Sequence, residues 1–237
     1  MQSKKTILGS RLSTIAALAY ECQTFADIGS DHAFLPIWLL ENNKAKQAII
    51  TEARLGPLQN GIANAVKAGV AGRCSFRIGN GLEPLSAGEA SCVSITGMGG
   101  RTIMGILQKN EQKSKSFPKL ILGPQTYVDE LRLFLSQHGY FIDENAIAKE
   151  HGHFYQIMLI DNAKAAPYCP DKASIIFPEK CRNAEIYEEY LLSRLQKAQK
   201  ELALMRGALA KRTHQEALKM SEIEMIQFRI NALGSNH

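Results

Sequence analysis

No apolar run in this 237-residue sequence approaches the length of a membrane span, and the opening residues MQSKKTILGSRL contain no apolar stretch of signal-peptide length. We therefore expect a cytoplasmic protein that does not contact a membrane. The five cysteines form no CxxC pair, and their odd number and wide spacing argue against both a disulfide framework and a zinc site. His151 and His153 have no further recognisable ligands, so we expect an exposed loop there and no bound metal.

The sequence also has only a small excess of positive over negative charge. The 28 lysines and arginines exceed the 23 aspartates and glutamates, which gives a net charge of +5 and permits an anionic partner without requiring one. Hydrophobic residues make up 45% of the chain, enough to bury a sizeable core. The length fits one large domain, alone or with a small appendage.

Short apolar runs alternate with helical patterns through the first two thirds of the chain. Such alternation predicts a parallel sheet with helices on both faces. Two further runs, 140–148 and 154–161, are joined by a short connection that contains Gly152, which predicts an antiparallel hairpin. The predicted parallel strands are 25–28, 48–51, 74–78, 91–95 and 119–122, and the predicted helices are 7–20, 34–40, 58–67, 101–109 and 128–138.

The last third of the chain has a different pattern. Residues 162–180 hold three prolines and little periodicity, which indicates a linker. From Leu191 to Leu209, apolar residues recur at alternating spacings of four and three, the pattern of a coiled-coil seam. Ser221–Glu224 has the form of a capping box and predicts the start of a second helix after a turn near 214–220. The expected domains are a ligand-binding domain over 1–165 and a linker with a helical hairpin over 166–237.

Glycine and polar residues follow the predicted strands, at the edge of a parallel sheet where ligands bind. Gly29 allows the backbone to approach a ligand closely. Glu52 ends the second strand, 25 residues after Asp27, where a carboxylate can accept hydrogen bonds from both hydroxyls of a ribose. Asn80 can accept a hydrogen bond from an adenine amino group. The candidate residues for a nucleoside-type cofactor are Asp27, Gly29, Ser30, His32, Glu52, Asn80, Gly81, Thr96 and Gly97.

The GxGxxG fingerprint of dinucleotide-binding proteins is missing, since DIGSDHAF contains only Gly29. A pyrophosphate requires more glycine backbone than this, so S-adenosylmethionine, which carries no phosphate, is favoured over NAD. Asp31 is not needed to bind such a cofactor, which makes it the candidate catalytic residue. Alternatively, Asp31 caps the helix that begins at Phe34. His32 contacts a phosphate or the cofactor carboxylate, or simply packs.

Five motifs resemble, in order and spacing, those of the bacterial tRNA (adenine-22-N1)-methyltransferase family: FADIGSDHAFLP, Glu52 followed by GPL, GNGL, ITGMGG and LILGPQ. The resemblance covers essentially the whole chain, including the C-terminal helical hairpin. It implies a class I methyltransferase with a seven-stranded Rossmann-like sheet whose last strand is antiparallel. It further implies that the protein binds S-adenosylmethionine and methylates N1 of adenine 22 in tRNA, and that Asp31 matches the suspected catalytic acid. The hairpin would dock the RNA or a second subunit, and the sequence leaves both monomer and homodimer open.

The chemistry of adenine N1 agrees with a carboxylate at position 31. N1 has its own lone pair, so a carboxylate that accepts from the N6 amino group need only orient N1 and stabilise the developing positive charge. Residues 96–100 read TGMGG, without the Asn/Asp-Pro-Pro-aromatic motif of many enzymes that methylate exocyclic amines, and the glycines predict a backbone-lined slot for a flipped base. The candidate substrate-binding residues are Met98, Gly99, Gly100, Pro124, Gln125, Arg11 and Arg101, and further candidates for RNA contact are Arg54, Lys197, Lys200, Lys211 and Arg212.

The chain departs from the pattern of that family at two places. Asn80 stands where the family usually has Asp, and Gly123–Pro124–Gln125 stands where it often has Gln-Pro-Asn. Two alternatives therefore remain: a small-molecule methyltransferase whose hairpin is a lid or dimer interface, and a non-catalytic RNA-binding protein on the same scaffold.

Overall fold

A computed structural model describes residues 5–165, 172–178, 180–207 and 213–234. The chain divides into two compact units, Met1–Tyr168 and Cys169–His237. In the first unit, the elements in chain order are α1 (Ser10–Leu18), β1 (Cys22–Ile28), α2 (Phe34–Glu41), β2 (Ala45–Glu52), α3 (Leu55–Lys67), β3 (Cys74–Ile78), β4 (Cys92–Thr96), α4 (Gly100–Lys109), α5 (Glu111–Lys115), β5 (Lys119–Gly123), α6 (Val128–Gln137), β6 (Ile142–Glu150) and β7 (His153–Asp161). In the second unit they are α7 (Lys172–Ile176), α8 (Ala184–Gly207) and α9 (Thr213–Gly234).

The first unit is built on one seven-stranded sheet with the order β3-β2-β1-β4-β5-β7-β6. The first five strands are parallel, and β7 runs antiparallel to β5. The last two strands form the predicted hairpin, and its tight turn consists of His151 and Gly152, both with positive φ. This arrangement confirms the α/β fold with an antiparallel last strand that the sequence and its resemblance predicted.

Both faces of the sheet are covered, because alternate residues of the central strands enter different cores. On β1, Phe25 belongs to a cluster that includes residues of α1, α2 and α3. Its neighbour Ala26 belongs to a second cluster that includes residues of α4 and α6. A strand that is buried on both faces needs consecutive apolar residues, and Phe25–Ala26 of β1 and Cys92–Val93 of β4 provide them.

The connection from β3 to β4 is a loop that an ion pair fixes at its base. Arg77 donates through Nη2 and Nη1 to the two carboxylate oxygens of Glu89 at 2.6 and 2.8 Å, and Nη1 also donates to the carbonyl of Pro84. The guanidinium lowers the pKa of Glu89 to about 2. This loop carries Asn80 and Gly81, so the ion pair helps to fix two of the predicted cofactor residues.

The second unit corrects two predictions about the C-terminal part of the chain. Helix α9 already begins at Thr213, so the predicted turn at 214–220 and the predicted helix start at Ser221 are both wrong. Ser221 and Glu224, the two residues of the predicted capping box that would cap a helix, both lie within α9. Glu222 between them pairs with Arg194 of α8 at 3.1 Å and with Lys219 at 2.7 Å. The connection between α8 and α9, with Leu209, lies outside the described residues.

The predicted linker is also wrong in part. Residues 172–176 form the short helix α7, and Ile176 and Phe177 are buried. Two of the three prolines behind that prediction, Pro167 and Pro170, lie outside the described residues.

Candidate active site

A cleft of about 280 Å³ opens at the carboxyl ends of β1 and β4. The strand register explains its position, because Ile28 at the end of β1 pairs with both Thr51 of β2 and Ile95 of β4. Turns that follow parallel strands therefore meet here. The cleft is lined by the predicted residues Asp27, Gly29, Ser30, Asp31, His32, Thr96, Gly97, Gln125 and Arg11, and by Leu12, Phe34 and Leu35, which the sequence did not single out.

The turn after β1 has an unusual backbone. Gly29, Asp31 and Ala33 all have positive φ, at 72°, 48° and 57°. The left-handed region is unfavourable for residues other than glycine, although Asp tolerates it better than most. The turn is fixed by its neighbours: the Gly29 amide donates to the Thr51 carbonyl at 2.9 Å, and the Asp31 amide donates to the Glu52 carboxylate. A strained and well-fixed turn of this kind is typical of functional sites.

The geometry of this turn excludes the helix cap as an explanation of Asp31. The N-cap of α2 is Ala33, and no side chain caps that helix. The Asp31 side chain is instead 65% exposed at the cleft, with one carboxylate oxygen 3.4 Å from Nε2 of His32. The His32 ring in turn stacks on Phe34, with the ring centroids 5.3 Å apart. The Asp31 carboxylate is therefore accessible to a ligand, while its backbone is held.

The side chain of Asp27 fixes the turn to the neighbouring strand. Its buried carboxylate accepts hydrogen bonds from the hydroxyls of Ser30 and Ser94, which join the turn to β4. Burial raises the pKa of the Asp27 carboxyl, and the two hydroxyl donors act in the opposite direction. Asp27 thus lines the cleft and also fixes its shape.

Glu52 connects the cleft with the loop after β3. It is only 9% exposed, and one carboxylate oxygen accepts the Asp31 amide. Among the described residues, none donates a hydrogen bond to the other oxygen, Oε2. Its main-chain carbonyl accepts from the Gly79 amide at 3.0 Å. A nearly buried carboxylate with an oxygen to spare fits a hydroxyl donor such as a ribose.

A second cleft, of about 350 Å³, lies beyond the end of β3, and Glu52 lines neither this cleft nor the first. The second cleft is formed by the β3–β4 loop, including Asn80 and Gly81, and by α4 residues that include Thr102 and Ile106. Asn80 and Gly81 do not line the first cleft. The predicted cofactor residues therefore form two groups, one in each cleft. Glu52 contacts the elements that carry both groups, because its carboxylate accepts from the turn after β1 and its main-chain carbonyl accepts from the loop after β3.

Most of the predicted substrate residues line neither cleft. Met98 packs across Gly29, where its methyl group fills the space of a Cβ, and it contacts the core on the α4 side. Pro124 is buried, and only Gln125 of that segment reaches the cleft. Gly97, which was predicted to bind the cofactor, does line the first cleft, and a Cβ there would meet nothing within 4 Å.

At Gly100, the slot that was predicted to hold a flipped base is filled by the main chain of residues 126–127. The Gly100 amide donates to the Thr126 carbonyl at 2.7 Å, and a Cβ on Gly100 would lie 2.5 Å from the Tyr127 carbonyl oxygen and 2.7 Å from that of Thr126. The prediction of an open, backbone-lined slot is therefore wrong at this residue. The glycine is needed because the main chain after β5 lies directly against the start of α4.

We expect Gly100→Ala to lower the free energy of unfolding by about 1–3 kcal/mol, since the added methyl group meets main-chain oxygens that have no easy way to move. Gly105→Ala on the same helix is the matched control, because a Cβ there meets nothing within 4 Å. That control should be as stable as the wild type or up to about 1 kcal/mol more stable. Urea unfolding measures the free energy of unfolding of both variants. Equal values would mean that the main chain at 126–127 moves away from the added methyl group at little cost.

The two arginines predicted to bind substrate have different surroundings. Arg11 lines the cleft, and its amide donates to the Glu150 carboxylate at 3.2 Å, which ties α1 to the hairpin of β6 and β7. Arg101 does not line the cleft, and its guanidinium makes two 2.8 Å hydrogen bonds to Glu130. Lys211 and Arg212 lie outside the described residues.

Neither a membrane segment nor a metal centre is found in the part of the chain that the structure describes. No helix there is long and apolar enough to cross a membrane. No group of three or more His, Cys, Asp or Glu side chains there could hold a metal ion.

Comparison with known proteins identifies the family. The model of a methyltransferase domain family matches residues 8–158. The tRNA (adenine(22)-N(1))-methyltransferase of Bacillus subtilis (strain 168) is 35% identical over 154 residues, which cover 65% of each chain, just under two thirds of that protein's length.

Two solved structures agree over nearly the whole chain. The crystal structure of B. subtilis m1A22 tRNA methyltransferase TrmK superimposes with a TM-score of 0.78 at 29% identity, over 95% of this chain and 99% of that one. M. capricolum TrmK, in complex with S-adenosyl-homocysteine, gives a TM-score of 0.81 at 28% identity, over 95% and 99%. The chain therefore belongs to the tRNA (adenine-22-N1)-methyltransferase family of class I methyltransferases.

Proposed function

We propose that this protein transfers a methyl group from S-adenosylmethionine to N1 of an adenine in tRNA, and that the adenine is number 22. The proposal rests on the turn after β1, which exposes the Asp31 carboxylate at the cleft while the Asp31 main-chain amide donates to the nearly buried carboxylate of Glu52. The names of the relatives support the substrate, since the B. subtilis protein is a tRNA (adenine(22)-N(1))-methyltransferase. Because tRNA is a cytoplasmic molecule in bacteria, we propose that the protein acts in the cytoplasm.

The residues around Glu52 suit the cofactor. When bound, S-adenosylmethionine supplies an electrophilic methyl group on a positively charged sulfur. The spare oxygen of Glu52 would accept from the ribose hydroxyls, and Gly29 would let the main chain approach closely. Asn80 and Gly81, in the second cleft, would face the adenine of the cofactor. Asn80 retains the acceptor oxygen of the family's usual Asp, so this departure is compatible with binding.

The remaining space of the first cleft suits the target base. Its rim includes Asp31, Gly97 and Gln125, and no Cβ intrudes at Gly97. A flipped adenine placed there would donate its N6 amino group to the Asp31 carboxylate. That hydrogen bond turns N1 towards the methyl donor, and it strengthens as positive charge develops on the ring, so no base is required.

The proposal is tested in cells by measuring 1-methyladenine in total tRNA from a strain that lacks this gene. We expect the nucleoside to disappear from position 22 and to return when the gene is supplied on a plasmid. Unchanged 1-methyladenine at that position would contradict a role in tRNA and would favour a small-molecule substrate.

A further inference from the structure

One exposed aromatic side chain next to the cleft has no role in the site described so far. Tyr127 is 50% exposed and has a φ of +53°, a conformation that is unfavourable for a bulky residue. It lies two residues after Gln125, which lines the cleft. Within the described part of the chain, no residue makes a hydrogen bond to its hydroxyl group.

The main chain around Tyr127 is firmly fixed. The Gln125 amide donates to the Met98 carbonyl at 2.8 Å, and the Gly100 amide donates to the Thr126 carbonyl at 2.7 Å. The carbonyl of Tyr127 itself accepts from the Leu131 amide at 3.1 Å. These bonds join the segment after β5 to the loop after β4, so the ring has a defined position at the rim of the site.

The ring itself rests on an arginine. The guanidinium carbon of Arg101 lies 3.9 Å from the centre of the Tyr127 ring, and Glu130 holds that guanidinium through two hydrogen bonds of 2.8 Å. Because Glu130 neutralises its charge, Arg101 is better suited to supporting the ring than to attracting a phosphate. An exposed aromatic ring on a fixed support is the usual platform on which proteins stack an unpaired base.

Tyr20 provides the internal comparison. It is also 50% exposed, and Lys119 lies 5.7 Å from the centre of its ring. Its hydroxyl, however, donates to the Glu144 carboxylate, and it lies just before β1, at the amino end of the strand rather than at the cleft. The exposure of Tyr20 is therefore explained by contacts within the protein, whereas that of Tyr127 is not.

We propose that Tyr127 is a substrate-binding residue that stacks on an unpaired nucleotide of the RNA next to the flipped adenine, and that Arg101 and Glu130 position its ring. The proposal rests on the proposed function, because it requires an RNA substrate. It adds a contact outside the cleft that affects RNA affinity and leaves the cofactor untouched.

The test compares the Michaelis constant for tRNA of the Tyr127→Leu variant with that of the wild type. Loss of one stacked base should raise this constant roughly 5- to 100-fold. The affinity for S-adenosylhomocysteine, measured by calorimetry, should stay at the wild-type value. Tyr127→Phe and Tyr127→Trp keep an aromatic face and should retain wild-type affinity for tRNA. Tyr20→Leu removes an equally exposed ring from the opposite edge of the sheet and should have no effect.

The positioning role of Arg101 is tested by a double-mutant cycle. Arg101→Met should raise the Michaelis constant for tRNA in the wild type and add nothing in the Tyr127→Leu background. If the effects of the two substitutions on the Michaelis constant add, and if Arg101→Met reduces the salt dependence of tRNA binding by about one phosphate contact, then Arg101 binds the RNA backbone instead.

Two results would overturn the inference while the proposed function stands. One is a Michaelis constant for tRNA in Tyr127→Leu that equals the wild-type value, and the other is a loss of affinity for S-adenosylhomocysteine in that variant. Absence of tRNA methylation by the wild-type protein would instead refute the proposed function, so the two failures are distinguishable.

Discussion

Asp31→Asn should lower the turnover number on tRNA by about 100- to 1,000-fold, the usual effect of removing one preorganised electrostatic partner of a transition state. Asn keeps the shape of the side chain and tolerates the left-handed backbone at position 31, so the turn itself should persist. The amide oxygen still accepts from the N6 amino group, but it no longer offers a full negative charge to the developing cation. The affinity for S-adenosylhomocysteine should remain close to that of the wild type.

Turnover at saturating tRNA and calorimetry with S-adenosylhomocysteine separate the possible roles of Asp31. Glu21→Gln is a suitable control, because it neutralises an exposed carboxylate just before β1, at the opposite end of the strand. Wild-type turnover in Asp31→Asn would remove this residue from the mechanism. A large loss of cofactor affinity with little loss of turnover would assign its carboxylate to the cofactor.

Glu52→Gln should weaken the binding of S-adenosylhomocysteine by about 10- to 100-fold, which corresponds to about 1.5–3 kcal/mol for a hydrogen bond to a charged acceptor. The variant keeps an oxygen that can accept the Asp31 amide, so turnover at saturating cofactor should change far less than affinity. Glu52→Ala would be a poorer test, because it leaves that amide without its partner and disturbs the turn.

The ribose contact has its own internal control. Methylthioadenosine carries the same ribose as S-adenosylhomocysteine but lacks the amino-acid part, so Glu52→Gln should weaken both by the same factor. Unchanged affinity for both compounds would contradict the assignment of Glu52 to the ribose. A loss confined to S-adenosylhomocysteine would mean that Glu52 acts on the amino-acid part instead.

The sheet was predictable from the sequence because its strands are short apolar runs that end in glycine or polar residues. Residues 74–78 were predicted as a strand and are β3, and the hairpin of β6 and β7 was predicted from Gly152. The gathering of Asp27, Gly29, Asp31 and Thr96 in one cleft also follows from topology, since the carboxyl ends of neighbouring parallel strands meet at one edge of the sheet.

The failures share a physical cause, which is that contacts distant in sequence override local signals. Ser221–Glu224 has the sequence of a capping box, but α9 continues through this segment, which is joined to the neighbouring helix by the ion pair between Glu222 and Arg194. The filled space at Gly100 and the support under Tyr127 both depend on the loop after β4 meeting the segment after β5. The pattern of neighbouring residues in the sequence does not predict this contact between the two segments.

Methylation of adenine 22 is tested by a methyl-transfer assay with the purified protein on two unmodified tRNA transcripts that are identical except for adenine or guanine at position 22. We expect one methyl group per adenine-22 transcript, recovered as 1-methyladenine at that position, and none on the guanine-22 transcript. Equal methylation of both transcripts, or methyl label on any atom other than N1, would contradict the proposed methylation of adenine 22.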